Sequence, residues 1–229
     1  MKISCIIPAY NEEKGIDKIL SIIVPLIGKV VYEVIVIDDG SQDRTREIIK
    51  KFTTVNLIEK NVNEGKSAAV ADGINISKGD YIFLMDADLQ DLNEKNIRDL
   101  INPIENGISD VAISYRKNAW PLPFSPFKEI DCLSGERILP KTPVITSLEE
   151  MKQLPSFGLE IFLNKKIILN DMRITIVQWP NVENVFPQNK RGWFRGIKQM
   201  LKMWLDMLST ASIIEIYSQN IKMKKLLVR

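Results

Sequence analysis

Two carboxylates, Asp86 and Asp88, stand one residue apart directly after the apolar run Tyr81–Met85. Like charges this close raise each other's pKa unless a cation lies between them. A hard divalent ion such as Mg²⁺ or Mn²⁺ would relieve that repulsion and would also neutralise a diphosphate leaving group. Gln90 follows two residues later and could add an oxygen ligand. The pattern is therefore a candidate metal site formed by Asp86, Asp88 and Gln90, with a solvated turn at the end of a strand as the alternative.

Two polar clusters earlier in the chain could contact a nucleoside. The first is Pro8–Glu12, in which Tyr10 could lie against a nucleobase and Glu12 could reach a ribose. The second is Asp38–Ser41, in which Asp39 could accept a hydrogen bond from a base N–H or a ribose hydroxyl. Each cluster by itself is equally well explained as a turn that begins a helix.

A third cluster, Asn63–Ser67, resembles part of a phosphate-binding loop. It lacks the full Gly-x-x-x-x-Gly-Lys-Ser spacing, which excludes a P-loop ATPase. Lys66 would still stand at the start of a helix, where it could touch a phosphate or the base. Nucleotidyltransferases also use paired aspartates, but the glycine-rich loop that binds their donor is missing from this sequence.

Apolar strands and amphipathic helices alternate through the first half of the chain and would position these clusters. Strands are predicted at Ile3–Pro8, Glu33–Ile37, Val55–Ile58, Tyr81–Met85 and Asp110–Ser114, and helices at Glu12–Leu26, Asp43–Phe52, Gly65–Ile76 and Asn93–Ile104. This alternation predicts an α/β fold, Rossmann-like, with a mostly parallel sheet flanked by helices. Ligands of such sheets bind beyond the carboxyl ends of the strands, so Tyr10, Asp39 and Asp86 should converge on one crevice.

The pattern changes after Arg116. Residues Asn118–Lys128 are rich in aromatics and prolines and are predicted to form a loop or flap. Helices are predicted at Ser147–Lys152 and Leu159–Ile168, followed by a strand at Arg173–Trp179 and by C-terminal helices from Gly192 onward.

Composition narrows the possible chemistry. The 229 residues include no histidine, which excludes histidine-based catalysis and histidine metal ligands, and the net charge of +2 is too small to indicate a nucleic-acid partner. Cys5 and Cys132 lie far apart and do not suggest a disulfide framework, so a reducing cytoplasm fits best. Met1–Ser4 leads straight into a strand and no apolar run is long enough to cross a bilayer. We therefore expect neither a signal peptide nor a membrane-spanning helix.

The four clusters in this order resemble family 2 glycosyltransferases, which have the A-type nucleotide-sugar fold. Members of that family carry a Pro-Ala-Tyr-Asn-Glu turn, an Asp-Asp-Gly-Ser turn, an Asn-x-Gly-Lys helix start and an Asp-Ala-Asp metal motif. The resemblance implies a UDP- or GDP-sugar donor and a Mg²⁺ or Mn²⁺ ion. It implies donor-binding roles for Pro8, Ala9, Tyr10, Glu12, Asp39, Lys66, Asp86 and Ala87, and metal binding at Asp86 and Asp88.

The Asp-Ala-Asp-Leu-Gln form is similar to the branch of dolichyl- and polyprenyl-phosphate sugar synthases, which act in cell-envelope biosynthesis. Residues Asp131–Arg137 resemble the Asp-x-x-Ser-Gly-x-Arg segment of that branch. By this resemblance Arg137 faces phosphate groups and stabilises their charge. Ser156–Glu160 likewise resembles a helix start that lines the acceptor side.

One departure leaves the acceptor open. Glu136 stands where polyprenyl-phosphate synthases usually have a non-acidic residue, and the Leu-Ser-Gly-Glu-Arg form is similar to glucosyl-phosphoglycerate synthases, which retain the anomeric configuration. Those enzymes place a later histidine at the metal, and here Gln188 or a water would have to fill that position. A polyprenyl phosphate needs little base catalysis, whereas a hydroxyl acceptor needs a carboxylate base. Candidate catalytic residues are Asp88, Arg137, Asp131 and Glu136, with Glu160 as a further possible base.

The resemblance divides the chain into a catalytic domain, 1–190, and a C-terminal helical segment, 191–229. Within the domain, residues 1–115 would bind the nucleotide sugar and residues 116–190 the acceptor. The stretch from Arg191 to Leu208 is a basic amphipathic pattern with tryptophans, which is typical of a helix in a membrane interface but also of one packed on its own domain. The expected location is the cytoplasm or the inner face of the membrane. A soluble transferase that acts on a small-molecule or polysaccharide acceptor is the alternative enzyme. A binding protein for nucleotide sugars, without transfer activity, is the alternative from another class.

Overall fold

The computed structural model describes residues 1–116, 134–155, 158–184, 205–206 and 209–228. The strands are β1 (Ile3–Ala9), β2 (Glu33–Asp38), β3 (Asn56–Glu59), β4 (Tyr81–Leu84), β5 (Leu89–Gln90), β6 (Val111–Tyr115), β7 (Arg137–Pro140), β8 (Ile174–Gln178) and β9 (Glu183–Asn184). The helices are α1 (Ile16–Ile23), α2 (Thr45–Ile49), α3 (Lys66–Ile76), α4 (Glu94–Glu105), α5 (Thr142–Ile145), α6 (Leu148–Lys152), α7 (Leu159–Leu169) and α8 (Ile213–Lys225).

Seven strands form the central sheet, in the order β3-β2-β1-β4-β7-β6-β8. β7 is antiparallel to both of its neighbours, while the other pairs in this sheet are parallel. The short strands β5 and β9 pair with each other in a separate antiparallel ribbon. The predicted α/β architecture with a mostly parallel sheet is therefore confirmed.

Two apolar clusters cover the two faces of the sheet. Alternate residues of β1 pack into one cluster and then the other. Cys5 and Ile7 belong to the cluster that includes α1 and α4, and Ile6 belongs to the cluster that includes α3 and α7. Such alternation is what a strand buried on both faces requires. The prediction that Cys5 is a core residue is confirmed, since its side chain is fully buried.

The observed elements differ from the predicted ones in two instructive places. α1 begins at Ile16 rather than at Glu12, because residues 12–15 form a turn in which Gly15 N and Ile16 N donate to the Glu12 carbonyl. β7 was not predicted at all. It has four residues, starts with Arg137 and ends with Pro140, so it presents almost no periodicity to read.

The C-terminal residues are tied to the edge of the sheet. α8 confirms a predicted C-terminal helix and packs along α7. After it, Ile174 N donates to the Leu226 carbonyl at 2.8 Å, and Val228 N donates to the Ile174 carbonyl at 2.9 Å. Across the described ranges, no helix is both long enough and apolar enough to cross a bilayer. The predicted flap at Asn118–Lys128 and most of the amphipathic stretch 191–208 lie outside the described residues.

Candidate functional site

The turns that follow β1 and β2 are joined by side-chain hydrogen bonds. Asn11 N donates to Ser41 Oγ at 3.0 Å, and Gln42 N donates to Asn11 Oδ1 at 2.8 Å. Glu12 N donates to Thr45 Oγ1 at 2.8 Å. The two predicted nucleoside-binding turns are therefore one preorganised unit, which Asn11 supports from a left-handed backbone conformation with φ 56°.

β1 ends with Pro8 and Ala9 beside this unit, and Tyr10 follows the strand. Ala9 is buried and its carbonyl accepts a hydrogen bond from Asp39 N at 2.8 Å, while Pro8 and Tyr10 are partly exposed. The turn containing Glu12 continues to Gly15, where an added Cβ would lie 2.8 Å from the Ala87 carbonyl. The first turn is thus in contact with the Asp-Ala-Asp segment after β4, as the convergence of strand ends predicts.

The adjacent carboxylates Asp38 and Asp39 have different surroundings. Asp38 is fully buried, lies 2.7 Å from the Arg46 guanidinium and accepts a hydrogen bond from Ser41 N, so it stabilises the fold. Asp39 is 3% exposed and accepts hydrogen bonds from Glu64 N at 3.1 Å and from Gly65 N at 2.8 Å. Each Asp39 oxygen keeps further lone-pair capacity for a ligand.

The start of α3 connects Asp39 to Asp86. Gly65 donates to Asp39 from a positive φ of 97°, which favours glycine, and the next residue points its ammonium group at Asp86. Lys66 Nζ lies 2.8 Å from Asp86 Oδ1 and 3.1 Å from Glu160 Oε1 at the beginning of α7. The side chain of Lys66 is therefore engaged by two carboxylates, and contact with a donor phosphate or base stays a prediction.

Asp86 and Asp88 are both partly exposed after β4, with the buried Ala87 between them. Burial raises the pKa of Asp86, but the charge and hydrogen bond of Lys66, followed by the charge of Arg116, outweigh it, so the pKa lies below its ordinary value. Burial lowers the pKa of Lys66, yet its two carboxylate neighbours raise it overall. Asp86 is therefore ionised and held in place by a cation.

A buried polar cluster lies behind Asp86. Glu136 is fully buried and accepts hydrogen bonds from Arg116 Nη1 at 3.1 Å, from Ser114 Oγ at 3.0 Å and from Ser134 Oγ at 3.1 Å. Burial raises the pKa of Glu136, the charge of Arg116 opposes this, and the charge of Asp86 adds to it, with a net rise. Asp86 and Glu136 are therefore close enough to affect each other's pKa, in opposite directions.

Gly135 and Arg137, on either side of Glu136, have different surroundings. A Cβ added at Gly135 would lie 3.0 Å from Asp86 Oδ2 and 3.1 Å from Lys66 Nζ, so the backbone approaches the pair closely here. Arg137 is fully buried; its guanidinium donates to the Ser134 carbonyl and, at 2.9 Å, to Asn164 Oδ1. The prediction that Arg137 faces phosphate groups is not supported by this placement, because its side chain has no exposed surface.

The acidic residues fit a divalent ion that shares its coordination with a ligand. In the parts of the chain that the structure describes, no group of three or more Asp, Glu or Cys side chains could hold a metal by itself. Mg²⁺ typically takes one or two carboxylates and completes its shell with phosphate oxygens and water. Asp86 and Asp88, hard oxygen donors at a partly exposed strand end, suit that arrangement. Gln90 lies in β5 with an exposed side chain, and its role as a ligand stays a prediction.

Two of the predicted residues have no described position, and two charged residues beside the site were not predicted. Asp131 and Gln188 lie outside the described residues. Sequence reasoning overlooked Arg116 and Lys60, both of which carry charge next to a predicted site residue. Each directly follows a strand, β6 or β3, so the same strand-end pattern that drew attention to Asp39 could have found them.

Comparisons with known proteins agree with this geometry. The family model described as Glycosyl transferase family 2 matches residues 4–128. The chain is 40% identical over 119 residues to "Dolichol-phosphate mannosyltransferase" of Pyrococcus furiosus, covering 51% of this chain and 33% of that protein. It is 36% identical over 123 residues to "Undecaprenyl-phosphate 4-deoxy-4-formamido-L-arabinose transferase" of Aeromonas hydrophila, covering 51% of this chain and 37% of that protein. The chain thus spans about a third of the length of these two relatives.

Solved structures show the same fold. Glucosyl-3-phosphoglycerate synthase from Mycobacterium tuberculosis, in complex with Mn²⁺, uridine diphosphate and phosphoglyceric acid, superposes with a TM-score of 0.74. The match covers 95% of this chain and 78% of that chain at 23% identity. Likeness at this level of identity concerns the fold.

Proposed function

Because the chain belongs to glycosyl transferase family 2, we propose that it transfers a sugar from a UDP- or GDP-sugar to an acceptor with the help of Mg²⁺ or Mn²⁺. The observation that carries this proposal is the joining of two strand ends through the start of α3. Gly65 holds Asp39, and the neighbouring Lys66 holds Asp86. A nucleoside at Asp39 and a diphosphate at Asp86 would then be bound by one continuous piece of structure.

The described residues have separable tasks in this reaction. Tyr10, Glu12 and Asp39 bind the nucleoside, and Asp86 and Asp88 would hold the ion. When bound, that ion supplies positive charge that stabilises the departing nucleoside diphosphate. Lys66 fixes the orientation of Asp86 through an ion pair, and the buried cluster around Glu136 lies behind Asp86. Such preorganisation matters because electrostatic stabilisation is strongest when the donors need not move.

The acceptor we propose is a polyprenyl phosphate. Its support is that relatives named for dolichol phosphate and undecaprenyl phosphate match at 40% and 36% identity. A phosphate nucleophile is already ionised, so it needs little base catalysis. Glu136 is unsuited to be a base because it is fully buried and its oxygens are engaged by Arg116, Ser114 and Ser134. Glu160, whose side chain is 11% exposed beside Lys66, is the better candidate should a hydroxyl acceptor be used.

A soluble phosphorylated acceptor is the second candidate. It is favoured by the acidic residue Glu136 in the Leu-Ser-Gly-Glu-Arg segment and by a fold match that covers 95% of the chain. We further propose the division into a catalytic domain at 1–190, with donor and acceptor halves, and a helical segment at 191–229. A cytoplasmic location at the inner face of the membrane, with a role in cell-envelope biosynthesis, fits the first acceptor.

The test is nucleotide-sugar turnover by the chain in the presence of Mn²⁺ or of EDTA, with undecaprenyl phosphate in detergent micelles or with 3-phosphoglycerate. Metal-dependent release of nucleoside diphosphate that only the lipid phosphate stimulates is the expected result. Stimulation by 3-phosphoglycerate alone would favour the second candidate. Binding of the donor without release under any condition would favour a binding protein.

Asp88→Ala should lower turnover by about 10²–10³-fold, the range seen when one electrostatic contact to the leaving group is removed. The matched control is Asp99→Ala on α4, where an exposed aspartate pairs with Lys95. Equal turnover of the two variants would contradict a role of Asp88 at the diphosphate.

A further inference from the structure

Lys60 carries a nearly buried positive charge close to Asp39 of the proposed nucleoside site. It directly follows β3, and its backbone N–H donates to the Asp38 carbonyl at 2.9 Å. Its side chain is only 9% exposed. The ammonium nitrogen lies 2.5 Å from Glu64 Oε2, 3.0 Å from Asp72 Oδ2 and 3.7 Å from Asp39 Oδ1. A buried ammonium group is costly unless it is paired, and here three carboxylates surround it.

The carboxylates around Lys60 come from three elements. Asp39 follows β2, Glu64 precedes α3 and Asp72 lies within α3. Asp72 has a second partner, because Lys152 of α6 lies 3.2 Å from its other oxygen. The nearby Arg46 is engaged by Asp38 and Glu59.

Within the described ranges, Lys60 is therefore the cation at ion-pair distance from Asp39. We propose that Lys60 is a positioning residue for nucleotide recognition: it keeps Asp39 an ionised, acceptor-only carboxylate and thereby sets the affinity for the donor's nucleoside. The inference rests on the proposed function.

Asp39 already accepts two hydrogen bonds and still has acceptor capacity for a ligand. Its two oxygens each accept one backbone N–H from the loop before α3, and they can still accept from a base N–H or a ribose hydroxyl. A protonated Asp39 would present an O–H donor to the same ligand groups and lose that match. Burial raises the pKa of Asp39; the two backbone hydrogen bonds and the Lys60 charge oppose the rise, the Glu64 charge adds to it, and the net pKa lies above its ordinary value.

These opposing effects determine whether each substitution raises or lowers the pKa of Asp39. Removing the Lys60 charge should raise the pKa of Asp39 further, and removing the Glu64 charge should lower it. Nucleotide affinity is full above the pKa of Asp39 and falls as the pH drops through it. A lysine that merely holds the loop in place would change stability without moving the pH at which affinity is lost.

The experiment measures the Kd of UDP and of GDP by calorimetry with Mn²⁺ between pH 5 and 8.5. Lys60→Met keeps the aliphatic stem and removes the charge. We expect the pH midpoint of binding to move up by about one unit, in the range that an adjacent charge produces. The Kd should weaken most at the acidic end, while kcat at saturating donor stays within about twofold of the wild type, since the chemistry lies at Asp86 and Asp88.

Three further variants sharpen the test. Lys60→Arg should restore the wild-type midpoint, and Lys152→Met, which removes the other cation at Asp72, should leave the midpoint unchanged. Glu64→Gln changes a half-exposed side chain and should move the midpoint in the opposite direction, to lower pH. This last variant decides the question if Lys60→Met does not fold.

Coincident pH profiles for wild type and Lys60→Met would overturn the inference, and so would an equal shift in Lys152→Met. An unchanged or raised midpoint in Glu64→Gln would overturn it too. A wild-type chain that binds neither UDP nor GDP would contradict the proposed function itself, whereas normal binding with unshifted variants contradicts only the role of Lys60.

Discussion

Asp39 and Asp86 both follow a strand and both have a lysine nearby, yet the protein holds them in different ways. Asp39 is held by two backbone N–H groups of one short loop, with Lys60 at a longer distance. Asp86 is held by the side chain of Lys66 and lies against the buried cluster around Glu136, whose residues come from distant parts of the sequence. A backbone cradle tolerates changes in the surrounding side chains, whereas a side-chain cradle depends on each of them. We therefore expect the Asp86 region to be the more sensitive of the two.

The largest effect is expected from Arg116→Met, which leaves Glu136 buried without its cation. Arg116 is 6% exposed and Glu136 fully buried, so the free energy of unfolding should fall by about 3–5 kcal/mol. Urea denaturation measures the loss. The control is Arg173→Met, which breaks the exposed ion pair with Asp110 and should cost far less. Equal losses in the two variants would remove the basis for calling the Asp86 region sensitive.

A smaller effect, mainly on activity, is expected from Gly135→Ala. The new methyl group would lie 3.0 Å from Asp86 Oδ2 and 3.1 Å from Lys66 Nζ, which is closer than ordinary van der Waals contact. Displacing Asp86 by a few tenths of an ångström should lower turnover about tenfold, less than the roughly hundredfold cost of a 1 Å misplacement, with a modest change in stability. Gly107→Ala is the matched control, because that glycine has positive φ but open space around it. It should lose stability and keep full turnover; a loss of turnover there would show that the assay reports unfolding.

The smallest effect is expected on the Asp39 side, from Asn11→Ala. The change removes the acceptor for Gln42 N and puts alanine at a positive φ, at a cost of about 1 kcal/mol. Because the backbone cradle of Asp39 remains, the Kd for nucleotide should weaken only severalfold. Asn11→Gly, which relieves the backbone strain, separates the two contributions by calorimetry and thermal unfolding. A loss of binding as large as the loss of activity in Gly135→Ala would reverse the proposed contrast between the regions.

The same contrast explains what could be predicted from the sequence. The turns at Pro8–Glu12 and Asp38–Ser41 are local patterns, and parallel strands bring their ends together by geometry alone. The alternation of strands and helices in the first half is likewise a local pattern, and its prediction is confirmed. The sequence before Lys66 also marks the start of α3, which the structure begins one residue later than predicted.

The surroundings of Asp86 could not be predicted in this way. Glu136 reaches Asp86 only because β7 runs antiparallel between β4 and β6, and a strand of four residues with arginine at one end carries no readable period. Because β7 was not predicted, the burial of Arg137 against Asn164 could not be foreseen, and its side chain was predicted to face phosphates. The pairing of Lys66 with Glu160 joins residues 94 positions apart, and no spacing rule reports such a contact.

The hydrogen bonds between Ser114, Ser134 and Glu136 tie the end of β6 to the residues just before β7. The Ser114 and Ser134 hydroxyls lie 2.8 Å apart, and Ser114 N donates to the Glu136 carbonyl at 3.0 Å. The backbone at the end of β6 and the backbone just before β7 therefore cannot separate without breaking buried hydrogen bonds, which makes this part of the sheet resistant to local opening.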